Sequence, residues 1–127
     1  SIVVWERRRT DDRQPMSFRL RSSVLGQRIQ GVYVSDILNQ LYATIESRKT
    51  SAPEKSYTAQ LFAAGENEIV KKVGEEAIEV IIAVKGQTDE RIVSEMADLI
   101  YHSLVLLAAR GIPWSAVEDE LARRHRS

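Results

Sequence analysis

Two pairs of carboxylates repeat one spacing in this chain of 127 residues: Glu76 and Glu79 lie three positions apart, and after fifteen intervening residues so do Glu95 and Asp98. Like charges held together beside an apolar core repel one another and lose hydration, so something must compensate them. A divalent cation would do so. Mg²⁺ takes oxygen ligands, keeps several waters and is commonly completed by phosphates, so acidic pairs on two facing helices would suit phosphate chemistry. Zinc fits the residues less well, because it prefers nitrogen and sulfur, the chain has no cysteine, and His102 and His125 do not share a helix at a ligand spacing. Acidic pairs on helices also form solvated faces with Lys and Arg partners, and pattern alone leaves that reading open.

The elements that must position these acids read as helices. At about 100° per residue, Ile69, Val70, Val73, Ala77, Val80, Ile81 and Val84 form one apolar stripe of a helix from about Asn67 to Lys85, with Gly86 as its stop. Glu76 and Glu79 fall side by side on the border of that stripe, and Lys72 lies one turn before Glu76. A second helix, capped by Thr88 or Asp89 and closed by Gly111, places Glu95 and Asp98 at the same kind of border with Arg91 and His102 beside them. Its downstream half, Ser103 to Ala109, is apolar almost all round, which makes it a central helix and more apolar than a monomer readily covers.

Upstream, Val34, Leu38, Leu41 and Ile45 mark a helix over about 35 to 48 behind a cap at Ser35. A polar linker over 49–55 leads to a short helix from Tyr57 to Ala64, with Ser56 as cap and Gly65 as stop. A last helix opens at Pro113, or at Ser115 with Glu118 completing a capping box. Gly74, inside a helix, costs about 1 kcal/mol relative to Ala, which predicts close approach by another helix or by ligand. Nothing after residue 31 alternates with period two, so the expected fold is all-α. Residues 1–31 read as an arm of unknown role, with a short strand possible at Ile2–Trp5 before an aperiodic charge run from Glu6 to Arg13. The domain then spans residues 32–127. Trp5 and Trp114 read as packing residues.

Composition narrows the function classes. Eighteen Lys and Arg balance eighteen Asp and Glu, giving no global basic field for nucleic acid or membrane. The balance hides an asymmetry, because the arm is net basic and the remainder net acidic. The absence of cysteine removes disulfides and thiol nucleophiles and suits a reducing cytoplasm. The apolar run from Ser103 to Ala109 is short of the ~20 residues of a membrane span, so a chain that neither crosses a membrane nor is exported is expected.

Glu76-x-x-Glu79 followed by Glu95-x-x-Asp98 resembles the metal signature of the MazG-type all-α nucleoside triphosphate pyrophosphohydrolases. Within them, Ser56-Tyr57-Thr58, Lys72-Val73-Gly74-Glu75-Glu76-Ala77 and Ala97-Asp98-Leu99-Ile100-Tyr101-His102 resemble the phosphoribosyl-ATP pyrophosphatase family of histidine biosynthesis. The resemblance covers about Ser35 to Arg124 and leaves the arm outside. It implies a MazG-like helical bundle completed by dimerisation. The implied reaction is Mg²⁺-assisted hydrolysis of phosphoribosyl-ATP to phosphoribosyl-AMP and pyrophosphate. Glu76, Glu79, Glu95 and Asp98 become the candidate metal ligands, one of them also orienting water. Tyr57, Thr58, Lys72, Lys85 and His102 become candidate substrate contacts, His102 alternatively holding a carboxylate. The cysteine-zinc cyclohydrolase activity to which this domain is fused in some organisms is not expected, for want of cysteine and upstream sequence. Two rival readings remain: a house-cleaning pyrophosphatase of the same fold acting on ordinary or damaged nucleotides, and a non-catalytic helical oligomerisation module.

Overall fold

The computed structural model describes residues 33–126, and every regular element among them is helical. The arm expected over residues 1–31, including Trp5, lies outside the described residues. In chain order, α1 is Tyr33–Ser47, two single 3₁₀ turns follow at Arg48–Thr50 and Pro53–Lys55, and α2 is Tyr57–Ala64. The hairpin pair α3, Glu66–Gly86, and α4, Asp89–Ala109, comes next, and α5, Trp114–His125, ends the described chain.

Local chemistry accounts for most of the boundaries. The Ser56 hydroxyl accepts the Ala59 N–H at 2.9 Å and opens α2, while the Thr88 hydroxyl accepts the Arg91 N–H at 3.3 Å and opens α4. Gly65 joins α2 to α3 with φ +101° and ψ 172°, a backbone region that essentially only glycine occupies. Gly111, at φ +71°, turns the chain after α4.

Two expected starts are corrected. Ser35 lies inside α1, which is already helical at Tyr33, rather than at its cap. The predicted capping box at Ser115 is absent, because Pro113, extended at ψ 148°, occupies the cap position and no side chain caps α5.

The core lies at one end of the hairpin. Leu41 and Ile45 from α1, Leu61 from α2, Ile69 from the start of α3, and Tyr101, Leu104, Val105 and Ala108 from α4 form one buried cluster, with Trp114 packed against it as expected. Tyr42 ties α1 to the turn after α4 by donating its hydroxyl to the Ile112 carbonyl at 2.6 Å. By length and composition alone α4 would pass as a membrane span, unlike the short run expected from Ser103 to Ala109. Its four fully buried residues, Tyr101, Leu104, Val105 and Ala108, make it the central core helix of this bundle.

Beyond the core, towards the hairpin turn, no third helix among the described residues covers α3 and α4. Val70, Ile81 and Val84, expected in the buried stripe of α3, are exposed, as are Ile78 and Ile82 beside them. Periodicity found the apolar positions of α3 but not their cover. At Gly74 nothing among the described residues lies within 4 Å of the place its Cβ would take, which corrects the half of the expectation that put a neighbouring helix there.

Candidate active site

The carboxylates meet where the four-helix end of the molecule gives way to the bare hairpin. Glu76 from α3 and Glu95 and Asp98 from α4 bring carboxylate oxygens within 4.8 Å of one another. The i, i+3 spacing of Glu95 and Asp98 puts both on the side of α4 that faces α3, and the antiparallel register of the hairpin sets Glu76 opposite them. Glu95 and Asp98 are only 3% and 4% exposed, and the Glu76 side chain 13%.

Three acids so placed cannot all be ionised without compensation. Burial, followed by the charge of Asp98, pushes the Glu76 carboxyl from its ordinary 4.5 up to about 7, and a hydrogen bond shared with Glu95 acts in the same direction. Two cations answer part of the charge. Lys72, one turn before Glu76, sits 3.8 Å from Glu76 and 3.2 Å from Glu75. Burial opposes its ammonium, but Tyr57, Glu75 and Glu76 together outweigh that cost, so its pKa lies above the usual lysine value. Arg91, one turn before Glu95, donates from Nη2 to Glu95 Oε1.

A hydrogen-bonded aromatic group backs the acids. His102 Nδ1 lies 2.7 Å from the carbonyl oxygen of Asp98, which only accepts, so Nδ1 carries a proton. In the neutral ring Nε2 is then an acceptor, and the Tyr57 hydroxyl donates to it at 3.0 Å. The rings of Tyr101 and His102 pack edge to face, with centroids 4.8 Å apart. Thr58, fully buried, is hydrogen-bonded through Oγ1 to the Tyr101 hydroxyl at 2.5 Å. Helix α2 is thereby fastened to α4 beside the acids, with Tyr57 half-buried at the edge.

Against the sequence expectations, the fold brings together Glu76, Glu95, Asp98, Lys72, Tyr57 and His102. Glu79 is exposed and outside the trio, one turn further along α3. Lys85 is exposed in the last turn of α3, about 14 Å along the axis from Glu76. The Thr58 hydroxyl faces Tyr101 in the interior. The His102 ring bonds the backbone carbonyl of Asp98 and the Tyr57 hydroxyl. Sequence reasoning gave no role to Tyr101, whose place three residues after Asp98 in a core helix was the available signal. It placed Arg91 on the acidic face without a function, although its i, i+4 spacing to Glu95 was legible.

The sequence model of the phosphoribosyl-ATP pyrophosphohydrolase family matches residues 38–125, which include the whole acidic group and its aromatic backing. The chain belongs to that family. It is 59% identical over 88 residues to the phosphoribosyl-ATP pyrophosphatase of Trichlorobacter lovleyi, covering 69% of this chain and 82% of that one. The phosphoribosyl-ATP pyrophosphatase of Metallosphaera sedula is 50% identical over 91 residues, or 72% of this chain and 98% of its own. The histidine biosynthesis bifunctional protein HisIE of Caldanaerobacter subterraneus is 48% identical over 91 residues, 72% of this chain and 44% of that longer protein.

Proposed function

We propose that the chain hydrolyses phosphoribosyl-ATP to phosphoribosyl-AMP and pyrophosphate, a step of histidine biosynthesis. The observation that carries this reading is the family match across residues 38–125, within which Glu76, Glu95 and Asp98 converge on one point.

The donor set is all oxygen and the acids are nearly buried, which fits Mg²⁺ and not a thiophilic ion. Glu76, Glu95 and Asp98 are assigned as its ligands. Glu79 completes the acidic set from its exposed position, its Cβ within ~6 Å of that of Glu76. Bound there, Mg²⁺ would neutralise phosphate oxygens and lower the pKa of a coordinated water. The protein's own contribution is to position and exclude. A carboxylate of the set accepts a proton from the attacking water, whose oxygen bonds to the α-phosphorus as the bond to the bridging oxygen breaks and pyrophosphate leaves. Lys72 offers its ammonium to the phosphates. Tyr57 offers a ring face and hydroxyl to base or ribose at the half-buried edge, and His102 and Thr58 hold α2 in place for it.

Exposed apolar residues on both hairpin helices support a homodimer in which a second copy covers them. Residues 1–31 are proposed to be an arm outside the catalytic domain of residues 32–127. A cysteine-free chain acting on a soluble nucleotide is assigned to the cytoplasm, with neither nucleic acid nor membrane as partner.

A pyrophosphate-release assay tests the reading. Phosphoribosyl-ATP should give a kcat/KM at least ~10²-fold above ATP, dUTP or dCTP, the scale that one or two unmatched buried polar contacts allow. Equal turnover of an ordinary nucleoside triphosphate would transfer the assignment to a house-cleaning enzyme with the same site. Release from none of them would leave a non-catalytic helical module.

A further inference from the structure

Among the described residues, the two cations paired with the acidic group, Lys72 and Arg91, lie on opposite flanks of it. α3 and α4 run antiparallel, and the meeting of Glu76 with Glu95 and Asp98 fixes their register. Lys72, one turn before Glu76, and His102, one turn after Asp98, therefore lie on the flank away from the hairpin turn. Arg91, one turn before Glu95, lies on the flank towards it. Tyr57 belongs to the first flank, because it bonds His102 at 3.0 Å and contributes to the field on Lys72.

We infer that Arg91 is a substrate-binding residue that grips the pyrophosphate end of the nucleotide, and that the base lies towards Tyr57. This rests on the function proposed above. A guanidinium carries five N–H donors in a rigid fork, and an ionised phosphate chain accepts such donors in pairs. Through Nη2 the Glu95 carboxylate anchors that fork, and with the Arg91 side chain 45% exposed and that of Glu95 4% exposed, donors remain at the solvent edge of the acidic group. Anchoring matters, because a long arginine side chain that is already held loses less rotamer freedom when it binds an anion. The opposite flank offers a ring and a single ammonium, matching base, ribose and α-phosphate. The Arg91 flank has a planar double donor for the leaving group. As the bond between the α-phosphorus and the bridging oxygen breaks, negative charge grows on the departing pyrophosphate, and the Arg91 donors meet it there.

The test uses the full chain with Arg91→Gln and Arg91→Lys, and reads three quantities: kcat/KM for phosphoribosyl-ATP, binding of inorganic pyrophosphate in the presence of Mg²⁺, and binding of Mn²⁺ alone. Arg91→Gln should weaken pyrophosphate binding and lower kcat/KM by at least ~10-fold each, the scale of one charge-assisted hydrogen bond. Mn²⁺ binding should stay the same or tighten, because a cation has left the neighbourhood of its ligands. Arg91→Lys keeps the charge without the fork and should fall between the two. If Arg91→Gln keeps Mn²⁺ binding and pyrophosphate binding within about twofold of wild type, Arg91 is only a counter-ion of Glu95 and the inference is overturned. Should Arg91→Gln lose its helical circular dichroism, Arg91→Lys decides: weaker pyrophosphate binding with intact Mn²⁺ binding supports the grip, and unchanged pyrophosphate binding overturns it. A wild-type chain that releases pyrophosphate from no nucleotide removes the functional reading and this inference with it, an outcome distinct from an active enzyme indifferent to Arg91.

Discussion

At the scale of single residues, the metal site proposed above sets stability against chemistry. Neutralising a ligand while keeping its shape should separate the two, so Glu76→Gln, Glu79→Gln, Glu95→Gln and Asp98→Asn should each lower turnover by at least ~10²-fold while the helical circular dichroism stays in place. Wild-type turnover in two of the four would remove the metal assignment. Glu76 also gives a sign for pH. Its carboxyl titrates near 7 in the folded chain and near 4.5 when exposed, so between those values the folded state holds the extra proton. The cation-free protein should therefore lose stability as pH rises from about 4.5 to about 7, with no further change from this group above that. A cation competes with the same proton, so Mn²⁺ affinity measured by calorimetry should be weaker at pH 6 than at pH 8 and proton release should accompany binding. Glu76→Gln should flatten that dependence. A pH-independent affinity in the wild type would show that Glu76 does not both hold the proton and meet the ion.

At the scale of elements, three glycines that look alike in the sequence should respond with different signs. Gly74 sits mid-helix with ordinary backbone angles and open space where a Cβ would go, so Gly74→Ala should stabilise the chain by about 0.5–1 kcal/mol in urea unfolding. Gly65 and Gly111 hold positive φ, and Ala at either should cost about 1–3 kcal/mol. A Gly74→Ala protein that is more stable but inactive would place a ligand or a second copy against that site, which the stability measurement alone does not reveal. Such contrasts also mark what was legible in the sequence. Ser56, Thr88, Gly65 and Gly111 act through their own backbone neighbourhood, so their caps and turns could be read from local chemistry. The acidic border of α3 and α4 was legible too, because the same spacing recurs on two helices that a short link makes antiparallel. The Ser115 capping box was not formed because Pro113 already supplied an extended cap. The cover over Ile81 and Val84, the inward turn of the Thr58 hydroxyl and the place of Tyr101 depend on which helix packs where, and period alone carries no such information.

At the scale of the whole molecule, the hairpin extends past the core that supports it. Ile78, Ile81 and Ile82 form an exposed ridge on α3 at i, i+3, i+4 spacing, and Val93, Met96 and Ile100 form another on α4 at i, i+3, i+7. Each of these side chains is at least 40% exposed in the single chain. Apolar ridges on two adjacent helices are the surface that a helical bundle buries, and a second copy offers the same ridges in return through a two-fold axis. Sedimentation at micromolar concentration should therefore show a dimer or larger species. Because these residues lie outside the core, assembly can be separated from folding in a way that a substitution such as Leu106→Glu, at a partly buried residue packed against the core, would not allow. A double change, Ile81→Glu with Val93→Lys, should shift the protein to a helical monomer. The acids lie at the foot of this hairpin, so a monomer with its hairpin unsupported should turn over phosphoribosyl-ATP more slowly and bind Mn²⁺ less tightly. A double variant that remains dimeric would move the interface elsewhere. One that is monomeric and fully active would show that a single chain holds the whole site and that the exposed ridges serve another partner.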